Sequence, residues 1–266
     1  MRNLITRSIS GFVYVTLYLF AIFYDAKTYI TLTSVFAVIC IWEFSKLIKS
    51  KNIIPYLFLA GMLYFFLYPI EGFSSDTSLG FTLIGLIILI YLLFSSKAIK
   101  IDTVFQRLFL QLIYLVLPFY FLISIPFVFG NYQPKIVICI LIFIWVNDSF
   151  AYLVGKNFGK NKLFESVSPK KTIEGFIGGL VFSLIAAYFI TQEHASTNIT
   201  LLDWMIIAAI LSILGTIGDL IESKFKRQAN IKDSGNIMPG HGGMLDRLDS
   251  LFFAAPFVYL YLHFII

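Results

Sequence analysis

Long runs of apolar residues, separated by short polar segments, decide what this chain can become. About nine such runs cover residues 9–24, 29–46, 53–70, 79–95, 104–129, 136–155, 173–191, 201–218 and 250–266. A bilayer core is about 30 Å thick and takes about 20 apolar residues in a helix. The runs are continuous and do not alternate, so spanning helices are expected and a barrel is not. Only 13% of the 266 residues are charged and the mean hydropathy is +0.86, whereas soluble domains are about 25% charged. The expected fold class is therefore all-α, a polytopic integral membrane protein with about nine transmembrane helices. The fifth run contains Pro118 and Pro126 and is expected to kink or break. The first follows Arg7 with no small-residue cleavage site, so it reads as a spanning helix and not as a removed signal. Cys40 and Cys139 both lie inside apolar runs and make no disulfide framework.

Charge sets the expected orientation. With nine spans and the N-terminus in the cytoplasm, only Lys27 and Lys135 of the twenty Lys and Arg residues fall outside. This split is the positive-inside pattern, and it favours an N-in, C-out topology. The acids Glu71, Asp76, Glu193 and Asp203 fall outside on the same count. The net charge of +5 then sits on one face, where it serves topology alone or meets an anionic substrate or lipid. One membrane domain is expected, with residues 1–130 as scaffold or lipid entrance and 131–266 as the catalytic helices and loops.

The first half offers little chemistry. Glu43, in "IWEFSKL", can pair with Lys46 three residues on and be structural. The second half differs. Asp148 lies inside an apolar helix, where an ionisable group is costly and marks function by default, or else serves as a packing hydrogen bond. Tyr152 and Gly155 share its face. A Gly- and Lys-rich loop follows, and its glycines would let the backbone approach a ligand. Thr172 is a candidate N-cap, and Glu174 would sit in the first helical turn. The eighth run ends with Asp219, Glu222, Ser223 and Lys226 on one stripe, a solvated face or a site, if the helix continues past the membrane surface. Gly215 and Gly218 permit close helix packing. Then comes "SKFKRQANIKDSGNIMPGHGGMLDRLDS", residues 223–250.

No phosphate-cradling P-loop, dinucleotide-binding glycine motif, zinc spacing or nucleophile elbow is present. What remains is carboxylates, cations and glycines at one membrane surface. That inventory suits phosphoryl or nucleotidyl transfer, with carboxylates on a cation and Lys or Arg on phosphate.

The residues Ser223, Lys226, Arg227, Lys232, Asp233, Gly235, then Pro239-Gly-His241-Gly242-Gly243 and Asp246-Arg247-x-Asp249, resemble the signature of phosphatidate cytidylyltransferases, also called CDP-diacylglycerol synthases. Asp148-x-x-Ala-Tyr152-x-x-Gly155-Lys156 and Ser168-Pro-Lys-Lys-Thr-x-Glu174-Gly175 are similar to that family as well. The likeness is strong over about 145–250 and has a bacterial look. It implies conversion of CTP and phosphatidic acid to CDP-diacylglycerol and pyrophosphate, dependence on Mg²⁺, a homodimer, no nucleic-acid partner, and a multi-pass place in the cell (inner) membrane with the site facing the cytoplasm. On this footing Asp148, Asp219 and Asp246, with Asp249 a fourth, are the expected metal ligands. Lys226, Arg227, Lys232 and Arg247 are assigned to phosphates, and Lys170 and Lys171 to either substrate, with Ser223 beside them. His241 would donate to the leaving pyrophosphate or fix the loop. Gly240, Gly242 and Gly243 would allow close backbone approach or form a turn. Asp233 reads equally as a cap, an ion-pair partner or a ligand. Other readings left open are a polyprenol or phytol kinase, an ether-lipid cytidylyltransferase, and a cation-coupled transporter.

Overall fold

The computed structural model describes residues 2–69, 75–95, 98–193, 199–240 and 242–266. Glu71 and His241, both used above, lie outside the described residues. Nine helical rods are found among the described residues: α1 (Arg2–Tyr24), α2 (Ala26–Leu47), α3 (Ile54–Leu67), α4 (Ser75–Phe94), α5 (Val104–Phe127), α6 (Pro134–Phe158), α7 (Ile173–Glu193), α8 (Leu201–Gln228) and α9 (Leu245–Phe264). The fold is all-α apart from one antiparallel hairpin, β1 (Lys162–Phe164) and β2 (Ser168–Thr172). Helices α2, α4, α5, α6, α7 and α8 are long and apolar enough to cross a membrane. Large apolar side chains such as Phe12, Phe20, Phe81, Tyr91 and Phe189 point outward. An outward apolar surface on this scale suits lipid and not water.

The helix edges have local causes. Asp25 caps α2 through Thr28 N at 2.6 Å, and Thr200 and Asp203 form a reciprocal capping box on α8. Rod α5 does not break at its prolines. Pro118 has no N–H to donate, and its ring crowds the preceding turn. The chain answers with a π turn over Leu112–Val116, closed by Leu117 N to Leu112 O, and with a 3₁₀ turn at Ile125–Phe127. This rod is the centre of the bundle: Tyr114, Leu115, Phe119 and Phe121 are fully buried. Tyr114 packs on Phe44, Phe225 and Phe252 of three other helices.

The rods alternate in direction, which gathers the basic ends on one side. There Arg107 donates to Lys49 O at 3.0 Å, and Phe94 meets Phe164. Lys224 donates to Leu92 O, Leu93 O and Ser95 O at 2.5, 3.2 and 2.8 Å. It thereby fills carbonyls that the end of α4 leaves orphaned. At the opposite side Tyr261 Oη donates to Asp203 at 2.7 Å, His263 lies 3.5 Å from Asp76, and Tyr132 Oη donates to Ile22 O at 2.8 Å.

Glycine sets the tightest helix seams. A Cβ on Gly175 would fall 2.6 Å from Ala151 O, and one on Gly178 2.7 Å from Val154. A Cβ at Gly155 or Gly159 would meet Thr172, so these glycines make room for the hairpin, and Gly155 also lines a cavity beside Asp148 and Lys171. Gly215 and Gly218 do permit close packing, against Ser250 and Phe253 of α9.

Candidate active site

Helix α8 runs unbroken to Gln228, so Asp219, Glu222, Ser223 and Lys226 share one stripe. The first turns of α9, just ahead of its apolar run, bring Asp246 and Asp249 alongside. Lys226 is the hinge of the two helices. Its ammonium pairs with Glu222 and lies 2.6 Å from Asp246. Glu222 is fully buried, and its Oε1 has no hydrogen-bond partner among the described residues. Asp219, Glu222 and Asp249 each offer a carboxylate oxygen, all within 4.8 Å of one another. Three clustered carboxylates, one of them on a fully buried residue, suit a hard divalent cation.

The hairpin supplies the next cation. β2 carries Lys171 to 2.5 Å from Asp219, whose other oxygen accepts from Ser223 Oγ at 3.2 Å. Burial alone would disfavour the Lys171 charge, but Asp219, Asp249 and Asp148 outweigh it and raise its pKa above the ordinary lysine value. The hairpin is held by Glu174. Its carboxylate accepts from Lys160 N and Asn161 N at 3.0 and 3.1 Å, and from Asn161 Nδ2 at 2.8 Å. Thr172 caps α7 as expected, through Gly175 N at 3.1 Å.

Asp246 is committed to its own surroundings. Oδ2 accepts from Ser234 N, Ser234 Oγ and Gly243 N at 2.9, 2.9 and 2.8 Å. Burial pushes this carboxyl up, but the Lys226 ammonium and those N–H donors prevail and hold its pKa below the usual range. The expected metal set of Asp148, Asp219, Asp246 and Asp249 is thus placed in three parts. Asp219 and Asp249 meet with Glu222. Asp246 stands on the far side of Lys226. Asp148, which accepts from Asn147 Nδ2 at 3.3 Å, lines a cavity with Asp219.

Two cavities are lined by residues of these segments. One, about 760 Å³, is lined by Lys232, Asp233, Asn236, Met238, Gly240 and Arg247, among others. The other, about 320 Å³, joins Asp148, Tyr152, Lys170, Lys171, Phe176 and Asp219 on one wall. Arg227 donates to Ile231 O at 3.2 Å and so braces the loop. The glycine run is a turn and a close approach at once. Met238 and Gly242 exchange backbone hydrogen bonds of 3.0 and 3.2 Å, and Gly240 and Gly242 have φ of 76° and 96°. A side chain is strained there.

Glu43 departs from its expected pairing. Lys46 stacks on Trp42, 3.2 Å from the ring centroid. Glu43 instead turns inward to the start of α9, accepting from Met244 N and Leu245 N at 3.1 and 2.8 Å. Glu222 and Glu43 are the residues that sequence reasoning undervalued. Each is a carboxylate on an apolar helix stretch, the signal that had singled out Asp148.

Comparison with known proteins agrees with this geometry. Residues 5–265 match the model of the Cytidylyltransferase family. The chain is 34% identical over 267 residues to the phosphatidate cytidylyltransferase of Bacillus subtilis (strain 168), covering 98% of each chain. It is 50% identical over 113 residues to that of Staphylococcus saprophyticus, covering 42% of this chain and 43% of the relative. The figure is 50% over 117 residues for that of Staphylococcus aureus (strain COL), with the same coverage. A match over nearly the whole length, on a chain whose signature residues converge in space, identifies it as a member of the Cytidylyltransferase family.

Proposed function

We propose that this protein transfers the cytidylyl group of CTP to the phosphate of phosphatidic acid, giving CDP-diacylglycerol and pyrophosphate. The convergence of Lys171 and Lys226 with the Asp219, Glu222 and Asp249 carboxylates, beside the cavity that Lys171 and Asp219 line, carries the reading. Lys232 and Arg247 on the larger cavity suit the triphosphate of CTP. The smaller cavity, walled by Tyr152 and Phe176 and carrying Lys170 and Lys171, suits a lipid phosphate with an apolar tail.

A lipid phosphate oxygen attacks the α-phosphorus. The new bond is O–Pα, and the bond to the pyrophosphate oxygen breaks. The nucleophile is already anionic, so no strong general base is required. The obstacle is repulsion between two phosphates, which pre-placed cations lower. Lys171 and Lys226 are held in place by Asp219, Glu222 and Asp246, so they need no rearrangement at the moment of reaction. Asp219, Glu222 and Asp249 would hold Mg²⁺, with Asp148 and Asp246 as flanking carboxylates. When bound, the ion would supply charge neutralisation on phosphate oxygens. Ser223 orients Asp219, Gly242 and Gly243 shape the loop, and His241 is assigned to the leaving group or the loop.

The same reading puts this face in the cytoplasm, in the cell membrane, with residues 1–130 as scaffold and 131–266 as the catalytic part. A homodimer belongs to the proposal, and cross-linking in native membranes tests it. The reaction is tested with CTP labelled in cytidine or in the γ-phosphate, given to purified protein with phosphatidic acid in mixed micelles. Cytidine label in the lipid is expected. The γ label in the lipid identifies a kinase, and neither label overturns transfer altogether.

A further inference from the structure

Glu43 is fully buried and belongs to α2, which contributes no group to the chemistry above. Its carboxylate takes the first N–H groups of α9, and Ser234 Oγ lies 3.2 Å from its Oε2. The same hydroxyl stands 2.9 Å from Asp246 Oδ2. One hydroxyl has one proton, so Ser234 links two carboxylates and serves one at a time. A helix usually takes its cap from the residue at its own start. Met244 stands there and makes no side-chain cap. The cap comes instead from a residue 202 positions earlier in the chain. Room has been left for it: a Cβ on Gly235 or Gly243 would fall onto Glu43 side-chain atoms. A local cap would satisfy the same N–H groups without fixing α9 against α2.

We propose that Glu43 is a positioning residue for cytidylyl transfer. It sets the height of α9 so that Asp246 meets Lys226 and Asp249 faces Asp219 and Glu222. The inference rests on the cytidylyl-transfer reading of the site. Glu43→Gln puts an amide NH₂ where two N–H groups point, and Ser234→Ala removes the hydroxyl bridge between Glu43 and Asp246 while leaving the N–H groups of α9 capped. Turnover should fall about 100-fold in Glu43→Gln and about tenfold in Ser234→Ala, the scale of a 1 Å misplacement and a fraction of it. KM for phosphatidic acid should stay near the wild type, while the thermal stabilisation of Glu43→Gln by Mg²⁺ should weaken, because Asp249 shifts from Asp219 and Glu222. The double variant should be no slower than Glu43→Gln, because both changes break one chain of contacts.

A lower melting temperature with unchanged turnover per folded molecule would reduce Glu43 to a structural cap. Additive losses in the double variant would also overturn the proposal. If Glu43→Gln yields no folded protein, Ser234→Ala decides, and wild-type turnover there overturns it. Label transfer by the wild-type protein reports on the reaction separately, so failure of the reading and failure of the positioning role are distinct results.

Discussion

Lys226 shows how one side chain carries both stability and chemistry. It is buried between Glu222 and Asp246, with 10% of its side chain exposed. Removing the cation leaves two buried carboxylates facing each other. Breaking a buried pair in this way costs about 3–5 kcal/mol. Lys226→Ala should therefore lower the melting temperature of the purified protein and cut turnover of the folded fraction by about 100-fold or more, the combined effect of lost positioning and lost charge. Wild-type melting and turnover together would show that Lys226 serves neither stability nor chemistry. At this scale the sequence was legible for Lys226 and Lys171, whose spacing matched a signature, and for Asp219, which stands on one helical stripe with Lys226. It was not legible for Glu43. A carboxylate three residues from a lysine reads as a local pair, and only the tertiary fold could show that Lys46 turns to Trp42 while Glu43 turns inward.

Helices were the most legible elements, because a continuous apolar run of spanning length has few other solutions. The continuation of α8 to Gln228 was foreseen only conditionally, since charged residues past an apolar run leave helix and loop equally open. The hairpin between α6 and α7 was missed. Its strands are three and five residues long and carry no apolar alternation. They are held instead by Glu174 and by Lys162 Nζ donating to Pro169 O at 2.7 Å. The seam contacts of the glycines around it were not legible, because the period of a helix does not reveal which neighbour packs on it. The α6–α7 seam makes a sharp test. Gly175→Ala forces a methyl to 2.6 Å from Ala151 O, and overpacking of this kind costs about 1–3 kcal/mol. Gly61→Ala has nothing within 4 Å and should leave melting unchanged or raised. Equal melting of both variants would show that the seam tolerates a side chain.

For the whole molecule, alternation of the rods and the gathering of basic ends define two opposite faces. Orientation in the membrane follows if the basic face is cytoplasmic. Single cysteines at Asn161 and Asn236, in a background lacking Cys40 and Cys139, should react with an impermeant thiol reagent only in inverted vesicles. Labelling from the outside of intact cells would overturn the orientation and the cytosolic CTP site with it. The contact between α2 and α9 also sets a timetable for biosynthesis. Glu43 leaves the ribosome 202 residues before Leu245, an interval of about 10–40 s at about 5–20 residues per second. Throughout that interval a carboxylate sits in the nascent bundle without the N–H groups it is shaped to receive. A chain stalled before α9 is therefore expected to be inserted but inert, and the reaction centre closes only once α9 has been made.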